Sequence, residues 1–238
     1  MSDTINAQIP VTNRILAALP KKEYEQLRPH LKPVNLAPKQ VVFEPGELIR
    51  YIYFPNDAVL SELVTTERGE TVEVNMGGKR GMSGVRVLLG ARRTPHLTLV
   101  QVPGSALRAK ATVLRDECAG CDRLQDLLLR YTQAMLTQTR QLVACNRFHQ
   151  LKERLCRWLL MLHDRVQSDG FLLTQEAISR SLGGHRESIA VTAGTLQKAG
   201  LIRYSRGHIT ILDRQGLEEA ACECYQIIED EYHHMFGL

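Results

Sequence analysis

The sequence predicts an α+β chain in three parts: an N-terminal antiparallel β jelly-roll barrel, one long helix and a C-terminal winged helix-turn-helix. Three observations predict it. Between residues 34 and 111, short β-rich runs alternate with Pro-Gly, Pro-Asn, Arg-Gly and Gly-Gly signals, the punctuation of closely spaced antiparallel strands. Residues 121–168 contain neither Gly nor Pro, which suits long helix. Residues 174–213 place two helical stretches around Gly183-Gly184 and then two β-rich runs around Ser205-Arg206-Gly207, as a helical hairpin followed by a wing requires.

With 238 residues, the chain has room for two modest domains at roughly 100–200 residues each. At the N-terminal end, Thr12 or Asn13 can cap a helix, Ile15, Leu16, Leu19 and Leu27 give apolar spacing, and Pro20 splits the run into two short helices. Strands are expected at 40–43, 51–54, 59–64, 71–76, 97–102 and 106–110. In the long helix, Cys121, Leu124, Leu128, Tyr131, Met135, Gln138, Leu142 and Cys145 follow one another at alternating intervals of three and four. That is a heptad stripe, which predicts a homodimer seam, with Gln138 able to set its register. The other covering for such a stripe is the chain's own barrel. The phase is lost at 146–150, and Leu151, Leu155, Trp158, Leu159 and Leu162 begin a new stripe. The expected division is therefore 1–116 for the barrel with its N-terminal helices, 117–147 for the dimerisation helix, and 148–238 for the winged domain with a C-terminal helix.

In the winged part, Ile178, Leu182, Ile189 and Leu196 supply the contacts between crossed helices. Gly183 suits the left-handed turn that ends the first of them. The second, from about 185 to 199, presents Arg186, Glu187, Ala190 and Val191 outward near its start, the end that enters a major groove in a helix-turn-helix. Arg206 at the wing tip can reach a phosphate. Charge agrees: residues 148–214 hold ten Lys/Arg against six Asp/Glu, whereas residues 215–238 hold six acidic groups and no Lys or Arg. A basic block attracts phosphates by counterion release.

Other classes fit poorly. No apolar stretch approaches the roughly 18–20 residues of a transmembrane helix, and the N-terminus lacks the basic flank and apolar core of an export signal, so a cytoplasmic location without membrane contact is expected. An enzyme needs a nucleophile with its base or a metal triad, and His30 and His96 stand isolated; no catalytic residue, metal or cofactor is predicted. The six cysteines, 118, 121, 145, 156, 222 and 224, read as reduced thiols. Cys118 and Cys121 have the spacing of half a metal site without a second half. Cys222, Cys224, His233 and His234 resemble a ligand set, but on one helix Cys222 and His233 would lie about 16 Å apart at 1.5 Å per residue. A disulfide between paired Cys121 or Cys145 residues across the seam is a further redox option.

The run 174–213, with its Gly183-Gly184-His185-Arg186-Glu187-Ser188-Ile189 core, resembles the C-terminal domain of the Crp/Fnr transcription regulators. Phe43-Glu44-Pro45-Gly46-Glu47 and Tyr53-Phe54 resemble the first strands of that family's cyclic-nucleotide-binding-like barrel. The resemblance implies a homodimer that binds an inverted repeat in double-stranded DNA, with RNA polymerase as a further partner. By position, Arg186 and Glu187 match base-contacting residues, Arg suiting guanine and Glu cytosine. Thr174, Gln175, His185 and Ser188 match phosphate-facing positions, beside Arg206. There are two departures. Val191 replaces a second base-reading Arg, which leaves an apolar contact such as a thymine methyl, and His185 replaces a hydroxyl cap.

An effector pocket by the same resemblance falls on Gly84, Val85, Arg92, Arg93 and Thr94. Val85 cannot accept from a ribose hydroxyl, so gating by a cyclic nucleotide is not expected, although Arg92 or Arg93 can hold an anion. Two alternatives stay open: a protein-interaction module whose basic face is incidental, and a cyclic-nucleotide-responsive regulator.

Overall fold

A computed structural model describes residues 11–118, 122–166 and 168–237. Asn13 caps α1 (Arg14–Ala17), accepting from the Ile15 and Leu16 amides. Pro20 then opens α2 (Lys21–Leu27), where a missing N–H costs nothing. Seven strands follow: β1 (Lys32–Leu36), β2 (Val41–Phe43), β3 (Tyr51–Pro55), β4 (Val59–Thr65), β5 (Thr71–Gly77), β6 (Leu97–Val102) and β7 (Gly104–Lys110). They form two antiparallel sheets, ordered β1-β7-β3 and β2-β6-β4-β5. The sheets make a jelly-roll-like sandwich without closing into a continuous barrel. All six expected strands are present. β1 was not among the expected strands; its Pro33 removes a ladder donor, a loss tolerated at the edge of its sheet.

Next come α3 (Ala111–Cys118), α4 (Asp122–Phe148) and α5 (Leu151–Arg165). The break between the last two falls within the expected 146–150. A capping box fixes the new start: the Gln150 side chain accepts from the Glu153 amide, and the Glu153 carboxylate accepts from the Gln150 amide at 2.7 Å. The winged part comprises β8 (Gly170–Leu172), α6 (Gln175–Leu182), α7 (Arg186–Lys198), β9 (Ile202–Ser205) and β10 (His208–Ile211), with sheet order β8-β10-β9. The tail folds as α8 (Arg214–Ala220) and α9 (Cys224–Phe236), and α9 returns to pack along α4.

That return corrects the expected seam. Leu124, Leu128, Tyr131, Gln138, Leu142 and Cys145 are all buried within their own chain, and Met135 is partly buried against the same core. Cys121 lies outside the described residues. Tyr131 donates to the Met82 carbonyl at 2.8 Å, and a Cβ on Gly81 would lie 2.5 Å from the Tyr131 ring, so helix and barrel touch there without room for a side chain. Gln138 sets no register between subunits; it donates to Asn75 Oδ1 at 2.9 Å and accepts from Arg165 at 3.1 Å. Period alone says that one helix face is apolar, not what covers it. A disulfide between Cys145 residues of two copies is excluded by the same burial.

The opposite face of α4 repeats as well. Leu129, Leu136 and Val143, seven residues apart, remain 49%, 46% and 69% exposed.

A polar junction built on Glu73 joins the head to the barrel. Glu73 on β5 accepts from Ser61 at 2.5 Å, from the Trp158 indole of α5 at 3.0 Å and from Ser181 of α6 at 3.3 Å. Above it, Arg165 donates to the Met76 carbonyl at 3.0 Å.

Candidate nucleic-acid interface

Thr174 caps α6, accepting from the Ala177 amide at 3.2 Å. The helix ends at Gly183, whose φ of 64° and ψ of 39° are left-handed as expected. Ser179 donates to the Gly184 carbonyl and ties the turn. His185 then stands at the N-cap of α7 without a side-chain capping bond, in keeping with an imidazole replacing a hydroxyl. Ile178, Leu182, Ile189 and Leu196 are buried between the helices.

Because those residues anchor one side of α7, the other must face water. His185, Arg186, Glu187 and Ser188 are exposed, and Val191 is 71% exposed. Ala190 is half-buried. The α7 N-terminus thus offers a cation, an anion and an apolar methyl pair on one outward face, with free helical amides behind them.

The wing turns through Arg206 and Gly207, with φ of 51° and 77°, the paired left-handed conformation of a two-residue hairpin. Its position is fixed from beneath. The Leu173 amide donates to the Gly207 carbonyl at 2.6 Å, the Tyr204 hydroxyl donates to the Leu173 carbonyl at 3.1 Å, and the Gln197 side chain accepts from the Tyr204 amide at 2.7 Å. In consequence Thr174, Gln175, Arg186 and Arg206 line one hollow between α6, α7 and the wing. Four of the expected contact residues converge there. Tyr204, which also lines it, was not singled out in the sequence because its role depends on where the wing folds back.

The barrel site differs from expectation. Gly84, Val85 and Thr94 line a cavity together with Glu62, Arg86 and Met135, but its internal volume is only about 30 Å³, close to the space of one water molecule. Arg92 and Arg93 are exposed and do not line it; Arg93 instead donates to the Gly46 carbonyl at 2.7 Å. The arginine that does face the cavity is Arg86, bound to Glu62 at 2.5 Å, and His96 Nδ1 lies 2.9 Å from the same carboxylate oxygen. Burial pushes the Glu62 carboxyl up, yet its hydrogen bond with His96 and the Arg86 charge outweigh that and hold it below the ordinary range. Glu62 and Arg86 lie more than 20 residues apart in sequence, so no local motif announces them.

Residues 153–220 match the family model of the Crp-like helix-turn-helix domain. The C-terminal part of the chain is a Crp-like winged helix-turn-helix, and the chain as a whole has the architecture of the Crp/Fnr transcription regulators. A protein from Eubacterium rectale assigned to that family is 16% identical with a TM-score of 0.67, the alignment covering 89% of this chain and 99% of that one. FixK2 from Bradyrhizobium japonicum is 14% identical with a TM-score of 0.69, covering 81% and 98%. TTHB099, a CRP-family regulator from Thermus thermophilus, is 18% identical with a TM-score of 0.65, covering 79% and 96%. At these identities the structures establish the shared fold. No curated protein matches the sequence. No helix among the described residues is long and apolar enough to cross a membrane.

Proposed function

We propose that the chain is a sequence-specific DNA-binding regulator that grips an inverted repeat as a homodimer. The supporting observation is the convergence of Arg186, Thr174, Gln175 and Arg206 on one hollow, beside a helix end that exposes Glu187 and Val191. In this reading Arg186 and Glu187 contact base edges and Val191 a thymine methyl. Thr174, Gln175, His185, Ser188 and Arg206 hold phosphates. Replacing Arg186 with Ala is expected to weaken binding to the selected operator by about 1–3 kcal/mol, roughly 5- to 150-fold, and to relax preference at one base pair. Selection from a random duplex pool followed by salt-dependent gel shift measures both. Unchanged affinity and preference would remove Arg186 from the reading role, and binding without salt dependence would point to a protein partner instead.

Dimerisation is assigned to the second face of α4, where Leu129, Leu136 and Val143 lie exposed at heptad spacing. Residues 1–116 then act as the sensor part, 117–147 as the dimerisation segment and 148–238 as the reading head. Leu136→Glu would place two carboxylates in the seam. Light scattering should show the mass falling from dimer to monomer, and a variant that remains dimeric would exclude this face. The small barrel cavity, already holding the Arg86–Glu62 pair, favours a regulator not gated by cyclic AMP.

A further inference from the structure

Four metal-binding side chains gather where the reading head leaves the long helix. Cys145 and His149 sit one turn apart at the end of α4, and Cys222 and Cys224 flank the kink between α8 and α9. Their donor atoms all lie within 4.8 Å of one another: Cys145 Sγ is 3.5 Å from Cys222 Sγ, and Cys224 Sγ is 3.4 Å from His149 Nδ1. A tetrahedral ion bound at about 2.3 Å to sulfur spaces its ligands about 3.8 Å apart, so the four donors stand close to coordinating distance before any ion is added. A polynuclear iron–sulfur cluster would spread its thiolates over different irons and needs a wider set.

The surroundings fit a bound cation with its ligands ionised. Cys145 and Cys224 have no exposed surface and Cys222 is 6% exposed, so bulk water is kept from the sulfurs. His149 turns Nδ1 toward the thiols and Nε2 toward the Glu223 carboxylate at 3.3 Å, the outer contact that orients a metal-bound imidazole. Gln141 donates to Cys224 Sγ at 3.2 Å. Three thiolates and a neutral imidazole around a divalent ion carry a net charge of −1, and a counter-charge is at hand. Arg157 is 2% exposed, forms no ion pair among the described residues, and leaves its Nε without a hydrogen-bond partner. Its guanidinium lies within electrostatic reach of the Cys145 sulfur.

We propose that Cys145, His149, Cys222 and Cys224 form a closed Cys3His site for a single zinc ion. The soft donor set and tetrahedral spacing select zinc over harder cations. Bound where α4 gives way to α5, the ion fastens the C-terminal tail at the α8–α9 kink to the end of the long helix. The site stands independently of the DNA-binding reading.

Full-length protein purified under reducing conditions should hold one zinc per chain by elemental analysis. After removal by chelator, cobalt(II) should restore one equivalent with the strong visible bands of a tetrahedral ion and thiolate-to-cobalt charge transfer. The Cys145→Ser/Cys222→Ser double variant should bind less than a tenth of an equivalent, while Cys156→Ala, whose thiol lies elsewhere in the core, should bind a full one. The cobalt spectrum of wild-type protein stands even if a variant fails to fold. Reduced wild-type protein that takes up neither ion would overturn the site. So would a Cys145–Cys222 disulfide in the metal-free protein with no zinc uptake after reduction, or a full metal equivalent in the folded double variant.

Discussion

Replacing Glu229 with Leu is expected to lower stability by about 3–5 kcal/mol, the cost of stranding one partner of a buried ion pair. Glu229 on α9 accepts two hydrogen bonds from Arg80, each 2.7 Å, in a parallel fork, and both side chains are almost wholly buried. Arg80 follows β5 closely, so the pair joins the barrel to the tail across 149 residues of sequence. Without Glu229, the guanidinium keeps, among the described residues, Asp164 at 4.0 Å and the Tyr232 ring at 5.3 Å, neither of which replaces a bidentate carboxylate. For a chain of this length the loss corresponds to a melting point lower by about 6–20 °C. Removing both charges, as Arg80→Met with Glu229→Leu, should recover most of it, because the larger share of the loss is an uncompensated charge and not a missing attraction. Calorimetry on the two single variants and the double variant decides. Additive losses would show that the pair acts as two independent packing residues.

The same tail explains what the sequence disclosed and what it concealed. Elements set by local chemistry were legible: Gly183 at the end of α6, the Arg206-Gly207 turn of the wing and the apolar set of α7 each follow from residues a few positions apart. The outward placement of Arg186, Glu187 and Val191 follows from that set. The α4 stripe was legible as a period and misleading as an interface, since its covering comes from barrel residues near Met82 and from α9. The Glu62–Arg86 pair and the Cys145–His149–Cys222–Cys224 cluster were illegible for a different reason. Their members meet only through tertiary folding, and the sequence offered Cys222 and Cys224 only beside His233 and His234, a set that helix length ruled out. The kink between α8 and α9 turns Cys222 and Cys224 toward Cys145 and His149 instead.

Glu73 makes the junction between barrel and head a titrating one. Burial pushes its carboxyl up to about 7, against the hydrogen bonds from Ser61 and Trp158 and the charges of Arg157 and Arg165, which pull it down. In the unfolded chain the group titrates near its ordinary value of 4.5. Between pH 4.5 and 7 the native protein therefore holds a proton that the unfolded chain has released, and stability falls as pH rises through that window. Below it both states are protonated, and above it neither is. At about 1.4 kcal/mol per pH unit the fall is about 3 kcal/mol over the full range, or roughly 6–12 °C in melting point. Glu73→Gln keeps the shape and remains neutral. Its carbonyl can accept from Trp158, and its amide can donate to the Ser61 and Ser181 hydroxyls. The variant should match wild type near pH 4.5 and melt several degrees higher at pH 8, with the difference growing between those limits. Histidines and other carboxylates titrate alike in both proteins, so the difference curve isolates Glu73. A difference that is flat across pH, or a variant less stable than wild type at pH 8, would mean that the junction holds an ionised carboxylate throughout and that the two arginines more than offset its burial.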